Sequence, residues 1–423
     1  MKVLIKNGTL IDPANKVHAQ QDLLIENGLI SKIGHIESTI EDCKIIDATN
    51  CLVAPGLVDL RARFREPGLE YKATIASEAR AAAKAGITSV CLPPDTDPVI
   101  DRPSMAHMLK EKSAELGTAR IYPLAALTKD LAGKTLADVW SLTQAGCVGT
   151  SNAGNPIENT LVMRRAMQYS SSFDITVHLY AQDHALIGNG CIHEGATSTR
   201  LGLPAIPAAA EIVGIARDIA LIETTGVKAH FTGISCARSV EMIANAQQRG
   251  LNVTADVDIH HLVLCEDDML DFDTHYHVQP PLRTANDRTA LCQGVKNGVI
   301  QAICSDHQPH DIDSKQTPFG ESSPGISGLE TLLPLVLKLV KEDALDIDQA
   351  INCLTNAPAT ILGIEAGTLS IGAIADCCII DPNKTWTFNK NDIHSSGKNS
   401  PYIGQSFSGQ TKYTLIGGHL LDT

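Results

Sequence analysis

Between residues 2 and 53 the apolar positions come in short runs, Leu23-Leu24-Ile25 and Ile45-Ile46 among them, separated by the turn dipeptides Asn7-Gly8 and Asn27-Gly28. Short apolar runs bounded by Asn-Gly predict hairpins and hence a small β-layer. The same texture returns at 368–380 and 413–421, again punctuated by glycine. The two chain ends therefore predict one small β-sandwich domain, residues 1–54 together with 365–423. From 55 to 364 the pattern changes. Strand-like runs at 56–60, 87–92, 121–126, 175–178, 229–232, 253–257 and 300–304 alternate with helical segments such as 75–85, 208–222 and 239–248. Repeated βα units predict parallel strands, and about eight of them in this length predict an α/β fold, a closed (β/α)8 barrel of the TIM type. In such a barrel the chemistry sits at the C-terminal strand ends. Residues 311–325, rich in Ser, Pro and Gly, predict a long loop on that face.

Composition changes this picture little. A chain of 423 residues with 43% hydrophobic content can bury a large core, and its net charge of −14 offers no general basic surface for nucleic acid or anionic lipid. The start, Met-Lys-Val-Leu-Ile-Lys-Asn-Gly, reaches a turn almost at once, without the apolar stretch of a signal peptide or membrane span. A cytoplasmic protein is the expectation, with no nucleic-acid or membrane partner. The twelve cysteines have no framework spacing, and Cys377-Cys378 lies inside an apolar run, so they read as reduced, structural thiols.

The run Pro55-Gly56-Leu57-Val58-Asp59-Leu60-Arg61-Ala62-Arg63-Phe64-Arg65-Glu66-Pro67-Gly68 closely resembles the first-strand signature of type I dihydroorotases, in which the positions of Arg61 and Arg63 are both histidine. Further segments resemble that family in the same order. They are 94–101, Ile259-His260-His261-Leu262, Pro280-Pro281-Leu282-Arg283-Thr284, Ser305-Asp306-His307-Gln308-Pro309-His310 and 324–331. The resemblance runs nearly end to end. It implies the amidohydrolase barrel with its small β-domain, and it implies chemistry in which a zinc-bound hydroxide opens or closes a cyclic amide while an aspartate moves the proton.

Carried over position by position, that apparatus is mostly missing. A guanidinium has no lone pair, so Arg61 and Arg63 cannot ligate zinc. The family's next ligand, an aspartate, aligns with Asn152, and its last histidine aligns with Gly233. His178 matches a histidine ligand and Asp306 matches the catalytic aspartate. Of the substrate-holding positions, Arg65 and His310 are kept, an asparagine has become Asp95, and a second asparagine has become Gln279. The resemblance thus implies no metal at the family's site. It also predicts that Arg61 or Arg63 pairs with Asp306 and stands in for the missing positive charge.

Two other histidine groups read as structural: His260-His261 because neighbours on a strand point to opposite faces, and His275-Tyr276-His277 because it lies in a loop rich in polar residues. Three functions follow from the resemblance. The first is a noncatalytic dihydroorotase-like subunit that partners the catalytic chain of aspartate carbamoyltransferase in UMP biosynthesis, as a homo- or hetero-oligomer. The second is a weak or divergent cyclic amidohydrolase, which would use zinc. The third is a sensor binding an anionic metabolite at Arg61, Arg63 and Arg65.

Overall fold

A computed structural model describes residues 2–37, 40–269 and 271–421. Met1, Ser38, Thr39, Asp422 and Thr423, assigned above to the small domain, lie outside the described residues. Two sheets form at the chain ends. One orders Leu29–Gly34, Asp22–Glu26, Lys2–Lys6 and Cys43–Asp47; the other orders His419–Leu420, Ser406–Ile416, Cys377–Thr387, Leu52–Pro55, Thr9–Asp12 and Val17–Gln20. Strand alternation sorts their side chains. Val3, Ile5, Leu23, Ile25, Val53, Cys377, Ile379 and Leu415 share one core between the sheets. Cys378 and Ile380, one position out of phase, join the barrel core instead. The apolar run around Cys377 is therefore buried on both faces and welds sandwich to barrel.

The barrel strands are Leu57–Asp59, Ile87–Leu92, Arg120–Pro123 with Ala125–Ala126, Thr150–Ser151, Val177–Leu179, Ala229–Phe231, Val253–Asp258 and Ala302–Cys304. They run parallel in that order. His307 closes the ring by bridging Ala62 on one side and Ile326 on the other. The helices carry the caps the sequence supplies: Thr74 and Ser77 make a reciprocal capping box on Ile75–Lys84, and Thr284 and Asp287 do the same on Ala285–Lys296. The loop predicted at 311–325 contains only the short turns Asp313–Lys315 and Phe319–Glu321.

Strand and helix meet closely at one point that matters for the mouth. Gly214 lies inside the helix Ala209–Thr225, where a Cβ would come within 2.7 Å of the backbone carbon of Ala181 and 2.8 Å of the Gln182 nitrogen. The helix seats directly on the chain leaving the fifth strand because this residue has no side chain. Gly214→Ala is expected to lower stability by about 1–3 kcal/mol, an overpacking cost, measured as a drop in the denaturant midpoint; an unchanged midpoint would show that the backbone contact relaxes freely.

Candidate functional site

The loop after the eighth strand is fixed before any charge is considered. Ser305 donates from its backbone nitrogen to Asp59 Oδ1 at 3.1 Å and from its hydroxyl to Asp59 Oδ2. His307 Nδ1 accepts from the Gly328 nitrogen at 3.1 Å, so its Nε2 carries the proton and donates to the buried Glu78 at 2.7 Å. Asp306 sits between these anchors at φ 43°, a left-handed conformation, and its carboxylate enters the mouth almost fully buried.

Arg61 meets it there. Its Nη2 donates to Asp258 Oδ1, its Nη1 donates to Thr232 Oγ1 at 2.9 Å, and its Nε makes an ion pair with Asp306 Oδ1 at 2.9 Å. Arg63 makes the second contact: its Nη1 reaches Asp306 Oδ1 at 3.3 Å and its Nε reaches Asp95 Oδ2 at 2.7 Å. Gln308 completes the shell by donating to Asp306 Oδ2 at 2.8 Å. Burial alone would raise the pKa of Asp258, but the Arg61 guanidinium overrides it and holds that carboxyl well below its usual range. For Asp95 burial is likewise outweighed, here by Arg63. Burial prevails at Asp306, whose pKa is raised although Arg61 and Arg63 oppose it. The charge pairing anticipated from the sequence forms, and both arginines take part in it.

Asp95 is occupied in this mouth by its ion pair. It pairs with Arg63 rather than standing as a bare carboxylate facing an anionic substrate. Gly233 has an equally direct reason to be glycine. A Cβ there would lie 2.5 Å and 2.6 Å from the two terminal nitrogens of Arg61, and φ is +63°. The arginine occupies the space a side chain at 233 would need.

The remaining positions are committed elsewhere. Asn152 accepts from Thr128 Oγ1 at 2.7 Å and donates to the carbonyls of Leu131 and Asn155, both at 3.1 Å. His178 is buried, its ring 5.1 Å from that of His230, and burial together with His230 pushes its pKa down to about 3. His178 and Asn152 both line a small pocket of about 20 Å³, roughly the space of one water. Arg65 donates to the Pro309 carbonyl at 3.1 Å. His310 donates from Nε2 to Pro324 at 3.0 Å and accepts at Nδ1 from Lys72 at 3.1 Å, which leaves the Arg65 Nη2, 3.3 Å away, without a lone pair to bond. Gln279 is half-buried next to Pro280, whose carbonyl lies 3.1 Å from His261 Nε2.

Two residues that dominate the site were not singled out from the sequence. Asp258 is the main partner of Arg61, and Asp256 bonds His230 Nε2 at 2.8 Å, Thr232 Oγ1 at 2.9 Å and the Gly233 nitrogen at 2.6 Å. Their spacing, i and i+2 on one buried strand face, was the available signal. His260 and His261 do not lie on a strand as expected: the chain turns at Asp258 into the short helix Ile259–Val263, with the two rings 4.5 Å apart.

A family model described as Dihydro-orotase-like matches residues 50–239. The chain is 43% identical over 420 residues to a dihydroorotase-like protein of Pseudomonas aeruginosa, covering 99% of both chains. It belongs to the dihydroorotase-like family. It is also 40% identical over 420 residues to a dihydroorotase of Syntrophotalea carbinolica, again covering 99% of each. Among solved structures, an L-hydantoinase from Arthrobacter aurescens superimposes with a TM-score of 0.88 at 22% identity, over 99% of this chain and 95% of the other, a likeness of fold.

The zinc that the family resemblance implies does not fit these donors. Arg61 and Arg63 are cations without lone pairs, Gly233 offers nothing, and Asn152 has its amide bonded on both sides. That leaves His178 Nε2, which has no partner among the described residues, and one ligand does not make a zinc site.

Arg61→Ala in this dihydroorotase-like chain is expected to destabilise by about 3–5 kcal/mol, since it leaves the buried Asp258 without its cation and Asp306 with Arg63 alone. Arg61→Lys should recover only part, because an ammonium cannot span both partners as the guanidinium fork does. Equal stability of all three proteins in urea melts would refute the pairing. Acid sensitivity follows from the neutral histidines. Burial first of all pushes His178 down to about 3, His193 to about 4 and His310 to about 2. The unfolded chain binds these protons near pH 6.5, so this stability is complete above about pH 6.5 and falls as pH drops below it, by up to about 1.4 kcal/mol per unit for each group. Melts between about pH 7 and pH 5 should show the decline, and His178→Leu should flatten it by one proton.

Proposed function

We propose that this chain is a noncatalytic dihydroorotase-like subunit that serves as a structural partner of an aspartate carbamoyltransferase catalytic chain in UMP biosynthesis. One observation carries the noncatalytic half: the Arg61 guanidinium, held between Asp258 and Asp306 and against Gly233, fills the mouth where the family's metal chemistry would operate. Asp306 cannot shuttle a proton to a substrate while it is the shared partner of two arginines. Retaining the whole barrel and β-sandwich around such a site fits selection for surface and stability. The partner itself comes from the family resemblance, in which dihydroorotases assemble with the transferase that precedes them.

A second reading is a divergent cyclic amidohydrolase. It draws on the Syntrophotalea relative, whose name is dihydroorotase, and on the retained His178, Asp306, Arg65 and His310. It requires Arg61 to leave its buried ion pairs during turnover.

Purified protein is expected not to interconvert dihydroorotate and carbamoyl-aspartate, and to comigrate on size exclusion with the transferase of its own host. Measurable turnover favours the second reading. A transferase that is fully assembled and active in cells lacking this chain, with no comigration, removes the scaffold role.

A further inference from the structure

Asp258 divides its two oxygens between two neighbourhoods. Oδ1 faces Arg61 and the Cys304 thiol, which lies 3.2 Å away. Oδ2 faces the other way, towards His261 Nδ1 at 3.5 Å and His260 Nε2 at 3.8 Å. All three of these atoms are buried and lack a hydrogen-bond partner among the described residues. Buried polar atoms are nearly always satisfied, so three orphans pointing at one another need an explanation.

The tautomers sharpen the problem. His261 Nε2 lies 3.1 Å from the Pro280 carbonyl, which can only accept, so Nε2 carries the proton. In the neutral ring, Nδ1 is then a lone pair aimed at a carboxylate oxygen. A ring lone pair and a carboxylate oxygen facing one another in the interior repel unless a cation lies between them.

We propose that Asp258 Oδ2, His260 Nε2 and His261 Nδ1 bind a borderline divalent cation of the zinc type. These donor atoms all lie within 4.8 Å of one another. Bonds of roughly 2.0–2.1 Å in tetrahedral geometry set ligand atoms roughly 3.3 Å apart, which the observed spacings approach through small ring rotations. Two imidazoles and a carboxylate suit zinc and its transition-metal neighbours and poorly suit magnesium, which prefers all-oxygen octahedra. The helix turn at Ile259–Val263 makes the set possible, because adjacent residues there sit roughly 100° apart rather than on opposite faces. This position is separate from the family's metal site, whose ligands are replaced, and it does not depend on whether the chain is catalytic.

The test uses the full chain, stripped with a chelator and titrated with Zn²⁺. One equivalent should bind and raise the melting temperature by at least about 2 °C, with Mg²⁺ failing to compete. His260→Ala and His261→Ala should each abolish uptake, while His178→Gln keeps it. Crystals of the unmodified protein soaked in Zn²⁺ should show an anomalous peak at bonding distance from all three donors, a readout that survives if the variants fail to fold. No uptake, uptake unchanged in both alanine variants, or a peak elsewhere overturns the site; with no uptake, a protonated His261 would be the balancing cation.

Discussion

A guanidinium held among carboxylates at the end of the first barrel strand organises this mouth. Asp258 and Asp306 are both inaccessible to water, and two like charges so close could not remain ionised without a cation between them. A divalent metal would normally supply that charge in an amidohydrolase-type mouth. Arg61 supplies it from a side chain, and Arg63 extends the network to Asp95. The difference is chemical as well as electrostatic: a metal offers open coordination and an acidic water, whereas a guanidinium offers only N–H donors in a fixed plane.

The neighbouring substitutions make sense as accommodations to that plane. Gly233 leaves the volume that two guanidinium nitrogens fill, Thr232 receives one of the Arg61 donors, and Asp95 answers Arg63. Asn152, freed from any ligand duty, ties the chain near Leu131 and Asn155. Positions that an alignment scores as separate losses are, in space, one rearranged charge network with a structural bystander beside it.

Much of this was legible in the residues themselves. The alternation of apolar runs with helical stretches located the barrel strands, though the run at 175–178 gave way to Val177–Leu179 because strand ends are set by hydrogen bonding across the ring. The pairing of arginine with Asp306 followed from the resemblance, which put Arg61, Arg63 and Asp306 in one mouth, together with charge: a buried carboxylate needs a partner. The role of Asp258 was not read: its spacing from Asp256 marked a buried acidic face, but 197 residues separate it from Arg61 and the spacing does not name the partner. The histidine pair was misjudged for the opposite reason. The strand rule was applied one residue beyond the point where the strand ends and the chain coils at Asp258.

The fit between Gly233 and Arg61 has an evolutionary consequence. A histidine regained at 233 would collide with the arginine, and a histidine regained at 61 in place of that arginine would leave the acidic groups without their counter-charge. Either change alone is expected to fold less well than the present chain. The two positions are therefore coupled: what can be held at 233 depends on what stands at 61, and a change at either one alone meets a cost that a change at both would avoid.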